Sequence, residues 1–468
     1  MTALAAVHAS RQDDVKALVD TMLFALKHRG GNVKRVYTEE NAPLGLGYSS
    51  NQSDIGFIES EAAIAALDGV FFTKTRRQEQ IVLQKSVAGF NSMMRLPGCF
   101  AEVSIKSDTL MAVRDPIGLK PLYYSQKAGV TAIASERKAL WRIGHAQTNR
   151  ILPGYLYTVK SRGMTRCCLF RLPRPDPQPM TMDYAANRLK QLIKKSIHQI
   201  TQDVDRVAIA FSGGIDSAIT ALLAKQSNVE VELISTGLKG SAELKTVEKY
   251  AKALDLPVSI EAYAPDSLMH FIRKILWLIE EPDLMKVSIA IPLHWAALLA
   301  TKRGHSVMLC GQGSDELYGG YYKYARILDN QGKSALRSSL YHSVIEAPQV
   351  NYERDEQATS PSGIELRTPF ANLELIDFSF RIPLEFKVKP GNDLTRKWVL
   401  RAAARKAGLP EEIVWKRKKA IQHGTGVENA IRRVAKEEGL NVNSYLVNLA
   451  KEICQLEAMP RLSETNNR

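Results

Sequence analysis

A chain of 468 residues exceeds what one hydrophobic core usually organises, so two domains are expected. Its apolar fraction of 45% and charged fraction of 24% are those of an ordinary globular protein, which excludes a disordered or low-complexity chain. The net charge of +14 suits anionic ligands such as nucleoside phosphates, but no basic run interleaved with aromatics singles out nucleic acid.

Residues 1–7 are apolar but lack a basic leader, so no secretory signal is expected. No apolar run approaches the roughly 18 residues of a membrane span. Cys99, Cys167, Cys168, Cys310 and Cys454 are scattered without CxxC spacing, which indicates a reducing cytoplasm and no structural zinc.

From residue 1 to about 170, short strand-like runs are broken by Gly, Pro and Asn, as at 98–105, 110–113 and 154–159, with one clear helix over 13–27. This pattern predicts a β-rich layered domain. Pro173, Pro175, Pro177 and Pro179 then favour extended polyproline geometry and mark a linker over 171–180. Beyond it, helices predicted at 183–200, 218–225, 242–254, 267–279 and 287–302 alternate with apolar strands at 207–211, 229–235, 258–262 and 306–310. That order implies a doubly wound parallel sheet with its ligand at the carboxyl ends of the strands. The pattern from 320 onward is mostly helical and ends in a polar tail.

The stretch from Val207 to Ser217 organises the second half. Val207 to Phe211 lacks polar alternation and suits a strand covered on both faces. Ser212-Gly213-Gly214 allows a sharp turn and close ligand approach, and the free amides of the following helix face an anion. Without a Walker lysine, the loop is better suited to hold a departing pyrophosphate than to act on a γ-phosphate. Asp216 would place Mg²⁺, and the Ser212 and Ser217 hydroxyls would donate to phosphate oxygens. A second loop, Gly311-Gln312-Gly313-Ser314-Asp315-Glu316, offers Asp315 at the same sheet edge. Two carboxylates from separate loops are what a magnesium ion bridging ATP phosphates uses.

The SGGIDS sequence at 212–217 resembles the pyrophosphate loop of the N-type ATP pyrophosphatases. Residues 236–244, GQGSDELYGGY at 311–321, Arg354-Asp355, residues 365–370, Arg396-Lys397 and residues 415–418 follow in order, and with them most of the chain resembles the glutamine-dependent asparagine synthetases. The first half is similar to that family's glutaminase domain at His28-Arg29-Gly30, Pro97-Gly98-Cys99-Phe100, Arg114-Asp115 and Ala134-Ser135-Glu136.

The resemblance implies an α+β glutaminase-like sandwich over 1–170, a Pro-rich linker over 171–180, an α/β doubly wound parallel-sheet ATP pyrophosphatase domain over 181–440 and a polar tail over 441–468. It implies ATP and Mg²⁺ as cofactors. Pyrophosphate would lie on Ser212, Gly213, Gly214, Asp216 and Ser217, adenosine on backbone near Phe211, Thr236, Cys310 and Gly311, and the metal on Asp216 and Asp315. Lys418 and Gln312 are the candidate catalytic residues, Lys418 by stabilising charge as an acyl-adenylate forms. The reaction implied is aspartate, ATP and an amine donor giving asparagine, AMP and pyrophosphate in the cytoplasm. A homodimer is left open, nucleic acid is not favoured and no membrane partner is expected.

The sequence departs from that family in four places. Thr2 stands where family glutaminases expose an amino-terminal cysteine. Asp68-Gly69 replaces an asparagine-glycine oxyanion site, and a carboxylate there repels the oxyanion. No Gly-Ser-Asp/Glu segment for the glutamine α-amino group lies between 72 and 83. A scaffold without glutaminase activity is therefore expected. In the second half, Gln312 replaces a glutamate able to accept the amine's proton, which an amide cannot do. A cyclase like the β-lactam synthetases, or an enzyme modifying tRNA or another macromolecule, is the alternative; a non-enzymatic ATP-binding partner is the least favoured.

Overall fold

The computed structural model describes residues 2–10, 15–40, 42–51, 56–60, 63–72, 89–241, 243–391, 395–416 and 424–454. Its first half, to Cys168, is built of two six-stranded sheets whose neighbouring strands run antiparallel. Thr2–His8 lies inside the first sheet, between Leu44–Ser50 and Val130–Ala134. The strand is apolar without a break because both of its faces are covered. Leu4 and Ala6 join Val103 and Ala112 of the other sheet in a shared core, while Ala3, Ala5 and Val7 pack under the helices Val15–Ala25 and Arg137–Arg142. The expected layered sandwich is this arrangement.

The second half holds a five-stranded parallel sheet in the order Val258–Tyr263, Glu230–Leu238, Arg206–Ala210, Val307–Leu309, Glu365–Arg367. Val207 and Ile209 pack toward the helices Met182–Thr201, Ile215–Lys225 and Trp398–Ala407, and Ala208 and Met308 toward Leu284–Lys302. Burial on both faces is why Val207 to Phe211 reads as a continuous apolar run. The chain leaves Arg206–Ala210 for Glu230–Leu238 on one side and later returns to Val307–Leu309 on the other. The switch point lies between Arg206–Ala210 and Val307–Leu309, and the loops after both strands diverge there.

Four sequence expectations need amendment. The fifth strand, Glu365–Arg367, was not foreseen; three residues are too few for a periodicity. Within the segment read as a polar tail, Val442–Cys454 is a helix that buries Tyr445, Leu446, Leu449 and Ala450. Leu284–Lys302 is long and apolar enough by composition to cross a membrane, although Lys286 and Pro292 interrupt its apolar run; its apolar residues are spent on the sheet and neighbouring helices. Residues 171–180 are neither helix nor strand, but they are not a free spacer. Tyr341 Oη donates to the Leu172 carbonyl at 3.0 Å, and the Gln178 amide donates to the Arg381 carbonyl at 2.7 Å.

The two halves meet across buried charges. Arg29 and Lys120 reach Glu356, Arg114 and Arg150 reach Glu353, and Arg137 reaches Glu281. Glu136 of the first half is in turn paired with His28, Arg29 and Lys138.

Candidate functional site

A cavity of about 540 Å³ opens at the carboxyl ends of the parallel strands. Phe211, Ser212, Asp216 and Ser217 line it from the first loop, Thr236 from the strand beside it, and Cys310, Gly311, Gln312 and Asp315 from the second loop. Ile234, Pro292, Leu293 and Ala296 form an apolar wall.

The local geometry explains the glycines. Gly213 has φ +64°, and a Cβ there would lie 2.8 Å from the Tyr250 ring. The Ser212 and Ser217 hydroxyls lie 3.4 Å apart, and Ser217 Oγ donates to the Gly214 carbonyl at 3.1 Å, so the serines brace the turn while they face the cavity. The helix Ile215–Lys225 starts from Gly214 without a side-chain cap, which leaves its first amides for a ligand. A Cβ on Gly311 would approach Asp216 Cβ to 2.7 Å, so glycine is what lets the loops cross.

Asp216 and Asp315 are brought together around a cation belonging to the chain itself. Lys397 Nζ donates to Asp216 Oδ1 at 2.6 Å and to Ser314 Oγ at 2.8 Å, and forms an ion pair with Asp315 Oδ1 at 2.8 Å. A Cβ on Gly320 would sit 1.6 Å from Asp315 Oδ1, so the second loop closes tightly behind that carboxylate. Arg396 and Lys397 hold successive left-handed backbone angles, φ +54° and +57°. Such angles in non-glycine residues cost about 1 kcal/mol or more each and persist where surrounding structure enforces them. Two carboxylates already arranged about a positive charge fit a divalent cation that takes its remaining ligands from phosphates and water. Among the described residues no cluster of three or more His, Cys, Asp or Glu offers a self-sufficient metal cage.

Gln312 donates to Asp355 Oδ2 at 2.8 Å, and Asp355 also pairs with Arg354 at 2.7 Å. Burial raises the Asp355 carboxyl against the lowering effect of Arg354 and Gln312. Deeper in, Glu316 accepts from Asn351 Nδ2 at 2.7 Å, and burial followed by the nearby Asp315 pushes its carboxyl up. Lys323, Arg354 and Arg396 supply positive charge to the lining.

Sequence reasoning assigned no role to Lys397, Asp355 or Lys416. Arg354-Asp355 and Arg396-Lys397 were legible as motifs, but no spacing rule tells which member faces a ligand. Lys416 Nζ donates to the Gly213 carbonyl at 3.1 Å and stands 4.4 Å above the Tyr250 ring, beside the first loop. Lys418 lies outside the described residues, as does most of the segment between 72 and 83. In the first half, Thr2 and Asp68 are both buried. Arg29 Nε donates to the Thr2 carbonyl at 2.8 Å, and Arg29 Nη2 lies 2.7 Å from Asp68 Oδ2.

Comparison with known proteins gives two family matches, to "Asparagine synthase" over residues 188–351 and 328–444 and to "Glutamine amidotransferase domain" over residues 60–142. A provisionally named glutamine-hydrolysing asparagine synthetase of Methanocaldococcus jannaschii is 31% identical over 402 residues, 76% of this chain and 74% of that protein. Asparagine synthetase 2 [glutamine-hydrolyzing] of Arabidopsis thaliana is 27% identical over 71% of this chain and 59% of its own length. Asparagine synthetase B of Escherichia coli (strain K12) is 24% identical over 72% of this chain and 63% of its own.

Proposed function

The chain belongs to the asparagine synthase family of carbon–nitrogen ligases, and on that premise we propose that it uses ATP to turn a small carboxylate, aspartate first, into an acyl-adenylate and then an amide. The observation that carries the reading is the meeting of the two loops, with Asp216 and Asp315 on either side of one positive charge at the cavity. The substrate carboxylate attacks the α-phosphorus, the bond to the β-phosphate oxygen breaks, and pyrophosphate leaves. The amine nitrogen then attacks the acyl carbon, the bond from that carbon to the phosphate oxygen breaks, and AMP leaves while the nitrogen's proton passes to the departing phosphate or to water.

Ser212, Ser217 and the free amides after Gly214 would receive the pyrophosphate. Mg²⁺ bound by Asp216 and Asp315 would neutralise charge on the phosphates. The backbone of Phe211, Thr236, Cys310 and Gly311 would seat adenosine against the apolar wall. Lys418 keeps its proposed role in stabilising charge on the adenylate. Gln312 spends an amide hydrogen on Asp355 and keeps its carbonyl oxygen to orient an amine N–H. It cannot accept the proton, so the amine has to arrive neutral.

Ammonia or another free amine, rather than glutamine, is the proposed nitrogen source. All five N–H groups of Arg29, in the His28-Arg29-Gly30 motif, are engaged by Thr2, Asp68, Glu136 and Glu356, which leaves that guanidinium nothing for a ligand. A cyclisation with the amine inside the substrate is the second reading. It is favoured by Met285 and Tyr322, which line the cavity yet are 51% and 46% exposed, an apolar rim that aspartate does not need.

Pyrophosphate release with ATP, Mg²⁺ and aspartate tests the proposal, run with ammonium, with glutamine and with no added amine. Turnover with ammonium alone, giving AMP and asparagine, is the expected result. ADP as product refutes the adenylate, and equal turnover with glutamine refutes the nitrogen source.

A further inference from the structure

The seven-residue helix Glu353–Thr359 is entirely buried and is too short to hold its shape alone. It follows a five-residue π-helical turn, Pro348–Tyr352, the kind of irregular winding that tertiary contacts maintain. At about 100° per residue, positions 353, 356 and 357 share one face, and 354 and 355 lie on the other. Glu353 and Glu356 of the first face pair with the first half, while Gln357 donates to Glu280 of the second at 3.2 Å.

On the first face, Glu353 meets Arg114 at 3.0 Å, Arg150 at 2.7 Å and the Tyr123 hydroxyl at 2.8 Å. Glu356 is gripped in two places by Arg29, Nη2 to Oε1 at 2.6 Å and Nη1 to Oε2 at 2.8 Å, with Lys120 at 3.3 Å. Arg29 is fixed by three further acceptors, Thr2 O, Asp68 and Glu136. It is therefore a rigid post seated in the sandwich. On the opposite face, Asp355 holds Gln312, and Arg354 lines the cavity.

We infer that Arg29 is a positioning residue of the ligase site: by holding Glu356 it fixes the cavity face of this helix, so the first half serves as a working part of the second without hydrolysing glutamine. The pyrophosphate loop from Ser212 to Ser217 is anchored to the parallel sheet, whereas the second loop touches this helix through Gln312. The carboxylate and amine end of the cavity depends on the Arg29 contact through Arg354, Asp355 and Gln312. Bidentate geometry matters here because it restrains rotation as well as distance.

The inference rests on the ligase reading for its kinetic arm but not for its structural one. Glu356→Gln, Arg29→Met and Arg29→Lys are made in the full chain, with Glu356→Gln leaving Arg29 paired to Asp68 and Glu136. Amide exchange is expected to quicken about tenfold or more at 353–359 in Glu356→Gln and Arg29→Met, with strands of the parallel sheet unchanged. MgATP affinity is expected to stay within about twofold, while KM for the carboxylate rises about tenfold or more with kcat little altered, and Arg29→Lys recovers part of that loss. A merely structural role would move MgATP affinity, KM and melting temperature together, and that outcome overturns the inference. Unchanged exchange at 353–359 in all three variants also overturns it. If aspartate proves not to be a substrate, the ligase reading fails, yet the exchange and MgATP measurements still decide this one.

Discussion

Replacing Lys397 by methionine keeps most of the side-chain volume and removes the charge between Asp216 and Asp315. Their oxygens lie 2.6 and 2.8 Å from Nζ, hence no more than about 5.4 Å apart, where an effective dielectric near 20 gives about 3 kcal/mol of repulsion. Lys397 is 1% exposed and its partners are 15% and 17% exposed, so water supplies little screening. Breaking a buried pair generally costs about 3–5 kcal/mol, in agreement with the Coulomb figure. At roughly 2–4 °C per kcal/mol for a domain of this size, the variant should melt about 6–12 °C below the parent. Magnesium should reverse part of the loss without nucleotide, because the vacated position suits a divalent cation. A site of about 0.1 mM affinity would recover about 2.7 kcal/mol at 10 mM MgCl₂. Scanning fluorimetry with and without MgCl₂ reads both effects. A variant that melts with the parent, or a magnesium shift equal in both proteins, would refute the reasoning.

Two further outcomes are expected. Burial alone would raise the Glu353 carboxyl, but Arg150, Arg114 and Arg137 overcome it and hold the group at about 2 rather than its ordinary 4.5. The unfolded chain therefore takes up the proton first as pH falls, so this carboxylate contributes its full stabilisation above about pH 4.5 and loses it as pH drops toward 2, on the order of 3 kcal/mol. Melting temperatures between pH 6 and 3 should fall less steeply in Glu353→Gln than in the parent; parallel slopes would count against it. Leu446, fully buried on Val442–Cys454, should cost about 2–5 kcal/mol when changed to alanine, read as a lower urea midpoint. An unchanged midpoint would return that segment to the status of a tail.

What the sequence disclosed followed from signals that are local. Val207 to Phe211 is apolar throughout, Gly213 and Gly311 mark backbone that must turn or approach closely, and alternating helices and strands lead to the parallel sheet. What it withheld depends on pairs far apart in the chain. Lys397 lies 181 residues from Asp216, and Arg29 lies 327 from Glu356. Each stands in a legible motif, but its distant partner appears only when the fold brings the two together. Glu365–Arg367 and Val442–Cys454 were missed for a related reason: a short edge strand and a polar-looking helix take their structure from the neighbours they cover.

The strand order also bears on biosynthesis. Arg206–Ala210 pairs early with Glu230–Leu238, but its other edge waits for Val307–Leu309, and that strand waits for Glu365–Arg367. Roughly a hundred residues must be translated before the open edge is covered, which takes about 5–20 s at ordinary elongation rates. An unpaired apolar strand edge exposed for that long is a template for aggregation. The nascent chain should therefore need chaperone protection through synthesis of the parallel sheet, and slowing translation between 210 and 307 should lower the soluble yield more than slowing it after 367.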